Sequence, residues 1–260
     1  MMATVTTTEL IDPDRDFASH YRDGGDPDRD CPRLYQWHFA LWGRPVLGVA
    51  PFKLEVTSGR SCGIRLRSGD SDEFYLSSDG IIPTWSTSGW TKRFTPDVVA
   101  EIARDADDFY RLACTIGGYI LFPLNRAGQT GHSINQSRGM HPQIADRFDI
   151  TLECIRRHYG EPEAENPLGT RLAYYADYFA LFRDFDTYVR FFILDDLVTQ
   201  NRDAVTSLMT GETITEFSSP AFARNATDYA QYRERTIAFV NARNARIREL
   251  SLQAVSVSCC

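Results

Sequence analysis

Between Pro51 and Trp90 apolar and polar residues alternate in short runs, "FKLEV", "GIRLR", "EFYLS" and "GIIPTW", divided by "TSGRSCG", "SGDSD" and "SSDG". Alternation puts Phe52, Leu54 and Val56, and then Ile64 and Leu66, on one face of a half-buried sheet. The Gly, Ser and Asp separators suit hairpin turns, so the pattern predicts an antiparallel sheet rather than a doubly wound one. At Thr95 the period changes. Thr95 suits an N-cap and Pro96 the first helical position. Val98, Ile102, Ala106 and Phe109 then recur at helical spacing, which predicts a helix from about 96 to 113. "CTIGGYILFPL", Cys114 to Leu124, reads as a strand in which Gly117 and Gly118 allow close backbone approach or a bulge, and Pro123 argues against a central position.

The second half is helical in pattern. Ile144, Phe148, Leu152, Ile155 and Tyr159 share one face of a helix starting near His141 or Pro142, with Asp146, Arg147, Asp149, Glu153, Arg156 and Arg157 on its other sides. Gly160 and Pro162 stop it. "LGTRLAYYADYFALFRDFDTYVRFFILDDLVTQ" predicts one bent helix or two packed ones, and a last helix runs from about Ser219 to Leu250. Ahead of the sheet, "RLYQWHFALW" suits a short helix ended by Gly43 and Pro45. The predicted class is α+β, with an antiparallel sheet in the N-terminal half and packed helices in the C-terminal half. One globular domain over 17–250 is expected, or two tightly packed lobes, 17–125 mostly sheet and 140–250 helical, with tails at 1–16 and 251–260.

A chain of 260 residues buries enough surface to hold a core without staples. Its formal charge of -7 gives no average attraction to nucleic acid or anionic membrane, although a local basic patch can still hold a phosphate. Lysine occurs only at Lys53 and Lys92, so the cations are almost all planar arginine forks, suited to carboxylates and phosphates. Cys31, Cys62, Cys114, Cys154, Cys259 and Cys260 form no CxxC, so neither a zinc knuckle nor a thioredoxin-like site is indicated. No metal or other cofactor is expected. The first residues lack the basic start and apolar run of a signal peptide, and charge interrupts every apolar stretch before membrane length. A cytoplasmic protein without membrane contact is the expectation.

Candidate chemistry concentrates in "NRAGQTGHSINQSRGMHP", Asn125 to Pro142. Asn125, Arg126, Arg138 and, from the next helix, Arg156 are candidate ligand-binding groups, since guanidinium forks hold phosphate or carboxylate and an amide orients it. His132 and Asn135 are the candidate catalytic pair, His132 to move a proton and Asn135 to orient the substrate. The same composition also describes an exposed connection whose Asn and Ser side chains bond to their own backbone. No P-loop is present.

Elsewhere, bland readings carry more weight. Glu153 and Arg157 have the spacing of an i,i+4 ion pair rather than of paired catalytic carboxylates. Cys154 reads as a small buried residue rather than a nucleophile. His132, His141, Asp146 and His158 match no compact metal motif. "YRDGGDPDRDCP" makes acidic turns rather than a calcium loop, "SGRSCG" a hairpin, and Trp85, Trp90, Lys92 and Arg93 leave nucleic acid open as a partner.

The segments "HYRDGGDPDRDCP", "TIGGYILFPLNR" and "IADRFDITLECIRRHY" resemble pieces of a family of uncharacterised bacterial proteins, over much of residues 17–200. The resemblance implies a recurring soluble bacterial domain and carries over no activity and no catalytic residue. Two functions follow for comparison. One is a protein that binds or processes a small anionic, phosphorylated or nucleotide-like ligand at the polar loop. The other is a non-enzymatic module whose aromatic helices over 171–198 bind a protein partner.

Overall fold

The computed structural model describes residues 10–17, 31–46, 48–49, 52–57, 63–68, 72–83, 85, 89–126, 133–217 and 221–252. Strands β1 (Lys53–Thr57), β2 (Gly63–Ser68), β3 (Asp72–Gly80) and β4 (Tyr119–Arg126) form one antiparallel sheet in the order β1-β2-β3-β4. Helix α1 (Pro32–Trp42) precedes the sheet, and α2 (Pro96–Ala113) lies between β3 and β4. Then come α3 (Ile134–Met140), α4 (Phe148–Gly160), α5 (Gly169–Tyr174), α6 (Ala176–Ala180), α7 (Phe185–Phe192) and α8 (Ala226–Glu249). With the sheet in the first half and helices concentrated in the second, the fold is α+β.

Alternation along the strands sets the register. Leu54, Leu66 and Phe74 face one another across β1, β2 and β3, and Val56, Ile64 and Leu76 form the next rung. On the other face Glu55 opposes Arg65, whose guanidinium lies 5.1 Å over the Tyr75 ring and donates to its hydroxyl at 2.7 Å. Pro123 sits in an edge strand beside a slip of register. Asn125 faces Tyr75 and Pro123 faces Leu76, so Leu124 bulges out between them and is exposed. "GIIPTW" forms no strand: the chain bends at Ile81, whose N–H donates to the Gly118 carbonyl at 2.8 Å, and Pro83 has no N–H to continue a ladder.

Helix α2 occupies the span the periodicity predicts and buries Val98, Ile102 and Phe109. Three helical expectations are corrected. First, α4 starts at Phe148 rather than near His141, because residues 141–147 make turns in which Ala145 (φ 50°) and Asp146 (φ 65°) are left-handed; Ile144 is buried all the same. Second, the aromatic-rich segment is three short helices, not one or two. Arg183 (φ 65°) breaks it, the Asp184 carboxylate caps α7 by accepting from the Thr187 N–H at 2.7 Å, and Ile193 (φ 58°) closes α7. Third, α8 starts at Ala226, where Asn225 accepts from the Asp228 N–H at 2.9 Å, rather than near Ser219. Pro220, the turns expected at 21–30 and most of the "SGRSCG" hairpin lie outside the described residues.

Aromatic rings join the helices to the sheet. Phe52 packs against Phe191 at 4.7 Å and Phe182 at 5.6 Å, Phe74 against Tyr178 at 5.8 Å, and Trp42 against Phe192 at 5.0 Å. Each such pair contributes about 0.5–1.5 kcal/mol beyond its burial. No helix among the described residues is long and apolar enough to cross a membrane.

Two polar groups inside this core, Arg243 and His38, are matched with particular care, whereas Trp37 Nε1 and the Tyr188 and Tyr232 hydroxyls have no partner among the described residues. Arg243, fully buried, donates from Nη1 to the Gly117 and Tyr119 carbonyls at 2.8 and 2.7 Å, and from Nε and Nη2 to the Phe192 carbonyl at 3.1 and 3.0 Å. Burial, with the Arg44 cation nearby, pushes its pKa down to about 9, so it stays charged at neutral pH. Asn244 beside it accepts from the Gly117 N–H at 2.7 Å and donates to Thr115 Oγ1 at 3.0 Å. A Cβ on Gly117 would fall 2.3 Å from the Asn244 Oδ1, which is why glycine stands there. His38 is also fully buried. Its Nδ1 accepts from the Trp42 indole N–H at 2.9 Å, so the ring proton is on Nε2, which donates to Ser78 Oγ at 2.8 Å. Burial and then Arg243 push its pKa down to about 3.

Two outcomes test this arrangement. Arg243→Leu leaves three buried carbonyls without donors at about 1–3 kcal/mol each, and is expected to lower the unfolding free energy by at least about 3 kcal/mol. Arg243→Lys should not restore it, because one ammonium cannot reproduce the fork; urea denaturation measures both. His38 is neutral when folded and protonates near pH 6.5 when unfolded. Its contribution is therefore complete above pH 6.5 and is lost as pH falls toward 3, at about 1.4 kcal/mol per pH unit. Denaturation midpoints for His38→Gln, whose amide keeps a donor and an acceptor, should fall less steeply over that range; equal slopes would contradict the assignment.

Candidate functional site

The residues flagged from the polar stretch fall into separate settings. Asn125 and Arg126 end β4, paired through their backbones with Tyr75 and Phe74; their side chains, and His132 altogether, lie outside the described residues. Asn135 and Arg138 do come together on α3, where the Asn135 Oδ1 accepts from the Arg138 Nε at 3.0 Å. Ser133 caps that helix by accepting from the Gln136 N–H at 3.0 Å. Arg138 is only 1% exposed: its Nη2 pairs with Asp146 at 2.9 Å and donates to the Gly80 carbonyl, and its face lies over Phe122. It thus braces α3 against the end of β3 and the turn before α4. Its Nη1 has no partner among the described residues.

Arg156 belongs to another group. It grips Glu153 bidentately at 2.8 and 2.9 Å and reaches Glu161 at 2.8 Å, while Arg157 donates to the same Glu153 at 2.7 Å. The buried Glu153 therefore accepts three N–H groups, and the expected i,i+4 pair is one arm of a triad. Among the described residues no hydrogen bond or ion pair joins Arg156 to Asn135 or Arg138. Cys154 is buried, and burial raises its thiol pKa, which keeps it protonated and unreactive. Trp85 is buried under Tyr232 and Phe94, and Trp90 donates to the Gly139 carbonyl at 2.8 Å and packs on Phe222, so neither ring is a free stacking platform. The aromatics of α6 and α7 face the core, with Tyr178, Phe179, Tyr188, Phe191 and Phe192 all buried. No cluster of three His, Cys, Asp or Glu side chains able to hold a metal occurs among the described residues.

A cleft of about 470 Å³ opens elsewhere, between the start of α4, the segment from Ser207 to Phe217 and the first turns of α8. Local chemistry shapes its wall. Thr206 pairs with Thr213, the Ser207 Oγ accepts from the Met209 and Thr210 N–H groups at 3.1 and 3.2 Å, and Gly211 (φ +82°) turns the chain back. Arg157 ties the far side of this segment to α4, donating to the Thr215 carbonyl at 2.7 Å with its face 4.4 Å from the Phe217 ring. Gln143 donates to the Phe217 carbonyl at 3.3 Å.

The floor is a buried ion pair. Arg147 donates from Nε to Asp149 Oδ1 at 3.1 Å, and from Nη2 to Asp149 Oδ2 and to Ser207 Oγ at 3.2 Å. Asp149 Oδ2 also accepts from the Leu208 N–H at 2.7 Å, and the Tyr232 ring lies 5.8 Å from the guanidinium. Arg147 and Ser207 line the cleft and the wholly buried Asp149 lies behind them. At the mouth Arg224 pairs with Asp228 at 2.9 Å, whereas Glu212 and Glu216, both exposed, make no ion pair among the described residues. Hydroxyls, carboxylates, amides and two guanidinium groups line this space; no imidazole, thiol or amine does among the described residues.

None of Asn125, Arg126, His132, Asn135, Arg138 or Arg156 is among its lining residues. A run of hydroxyl-bearing residues around one glycine, "TSLMTGETITEF", was the available signal for the wall. Nothing local tied it to Arg147 sixty residues earlier.

A family model described as a family of unknown function, DUF6994, matches residues 11–247, and the chain belongs to that family. No curated protein and no solved structure matches the chain.

Removing one partner of a buried ion pair strands the other charge, at about 3–5 kcal/mol. Asp149→Ala is therefore expected to destabilise by that amount. Arg224→Ala, at the exposed pair with Asp228, should change stability by less than about 1 kcal/mol. Guanidinium denaturation of the two variants compares them directly, and equal losses would mean that the floor pair is not structural.

Proposed function

We propose that this family member is a binding protein for a small polar ligand carrying a positive charge, taken up in the cleft between α4, the Ser207–Phe217 segment and α8. The observation that carries this reading is a space of ligand size, about 470 Å³, whose mouth holds two glutamates, Glu212 and Glu216, without a partner cation among the described residues. The floor charges neutralise each other, as do Arg224 and Asp228 at the rim. What is left to attract a ligand from solution is negative. The lining supplies hydroxyl, amide and carboxylate groups that can hold a polar ligand.

The phosphorylated or nucleotide-like ligand expected at the polar loop draws less support. Arg138 and Arg156 already hold Asp146 and the Gly80 carbonyl, and Glu153 and Glu161. A protein partner on the aromatic helices loses its main argument, because all of those rings but Tyr174 are inside.

Thermal-shift measurement with a panel of amines, guanidinium compounds, sugars, nucleotides and inorganic phosphate tests the reading. A cognate ligand at a hundredfold excess over its Kd adds about 2.7 kcal/mol, a Tm rise of several degrees. The hits are expected among the cations, and the double variant Glu212→Gln, Glu216→Gln should weaken them about tenfold without changing the Tm of the free protein. A panel flat for every compound with an ammonium or guanidinium group, amino acids included, or nucleotides binding more tightly than all of these, would overturn it.

A further inference from the structure

The floor of the cleft is not chemically complete. Arginine has five N–H donors. On Arg147 the Nε and both Nη2 hydrogens go to Asp149 and Ser207, but Nη1, with two hydrogens, meets among the described residues only the Ala221 carbonyl at 3.4 Å, near the limit of a hydrogen bond. Arg147 is 3% exposed, and the residues at both ends of this long bond, Arg147 and Ala221, line the cleft. Ser207 adds a second donor. Its oxygen already accepts from Arg147 Nη2 and from the Met209 and Thr210 N–H groups, all within 3.1–3.2 Å. Its own O–H therefore points away from those three, and Ser207 too lines the cleft.

The two ends of the cleft thus differ in sign of demand. The floor offers N–H and O–H donors to an oxygen acceptor, in a buried setting where a charged acceptor gains most. The mouth offers the Glu212 and Glu216 carboxylates to a cation. Between them Ile150, Met209, Ile214 and Phe217 provide apolar contact. We infer that the cleft takes a zwitterion of the amino-acid or short-peptide class, with its carboxylate on Arg147 Nη1 and Ser207 Oγ and its ammonium against Glu212 and Glu216. This rests on the reading of the cleft as a binding site and narrows it to one ligand class. A phosphate ester fits the floor but is repelled at the mouth, and a simple amine fits the mouth while leaving the floor donors unmatched.

The test is calorimetric titration of the whole chain with the twenty L-amino acids and a set of glycyl dipeptides. Each binder is measured again with its amine acetylated and with its carboxylate converted to the amide. Saturable one-to-one binding is expected for members of the set, with each modification weakening it at least tenfold. In the double variant Glu212→Gln, Glu216→Gln, the penalty for acetylation should shrink to about threefold or less while the penalty for amidation persists. The carboxylate end is read through the ligands because Arg147→Lys would also disturb the buried pair with Asp149.

Binding that tolerates both modifications overturns the inference. So does failure of every amino acid and dipeptide while simple amines such as agmatine bind, an outcome that leaves the cleft reading standing. Failure of the amines as well removes both.

Discussion

Buried backbone carbonyls need donors, and in this fold arginine forks supply them. The helices from α5 to α7 are five to eight residues long, so most of their carbonyls lie in a terminal turn with no intrahelical partner. Arg44 donates to the Leu41 and Phe191 carbonyls, Arg243 to those of Gly117, Tyr119 and Phe192, Arg157 to those of Glu165 and Thr215, and Arg235 to that of Met209. Each joins segments far apart in sequence. A lysine ammonium is more strongly hydrated and has no planar fork, and lysine occurs only at Lys53 and Lys92, both outside this interior role. At these four positions arginine, which first suggests anion binding, serves irregular buried backbone instead.

The elements that could be read in advance are those whose signal is local. Alternation along "FKLEV" and "GIRLR" fixes which side chains face inward, and Thr95-Pro96 with Val98, Ile102 and Phe109 marks a helix from end to end. Even Pro123 carried its meaning, in a strand at the sheet's edge, although the bulge falls at Leu124 and not at Gly117 and Gly118, which precede the strand. Two of the helical failures, the start of α4 and the breaks around α7, share a cause. His141, Arg183 and Ile193 sit where apolar periodicity continues through a change of backbone direction, made by left-handed residues at Ala145, Asp146, Arg183 and Ile193 that nothing in the pattern announces. L-residues take such angles at a cost of about 1–2 kcal/mol each; short-range bonds accompany them, the Arg138–Asp146 pair, the Asp146 N–H on the Arg138 carbonyl and the Asp184 cap on Thr187.

The site was harder to foresee for the same reason. Its parts come from three segments: Arg147 at the head of α4, Ser207 to Phe217, and the start of α8. Arg147 looked like one more charge on the outer sides of a helix, and Glu153 like half of an i,i+4 pair with Arg157. In the fold Asp149 and Glu153 are both wholly buried and share no arginine, Asp149 meeting Arg147 and Glu153 meeting Arg156 and Arg157, so they belong to different structures. The polar loop, by contrast, combined conspicuous side chains. Of these Asn135 and Arg138 close on each other, and Arg138 on the sheet.

What separates an arginine that holds the fold from one that can meet a ligand is then a matter of satisfied donors and access together. Arg243 makes four bonds of 2.7 to 3.1 Å to carbonyls, is wholly buried and is not among the residues that line the cleft, so its one remaining Nη2 hydrogen meets no solute there. Arg138 has a spare Nη1, yet it lines neither the cleft nor the small apolar pit formed by Ile82, Trp85 and Phe109, so no solute can reach it by those routes. Arg147 alone of the three combines a weakly used nitrogen with a place on the wall of a ligand-sized space. Its carboxylate partner holds the guanidinium in position before any ligand arrives, so an incoming acceptor meets an oriented donor and little side-chain entropy remains to be lost. The device that stabilises the interior everywhere else becomes a recognition element at the one of these positions where the backbone leaves it partly unanswered and solvent can enter.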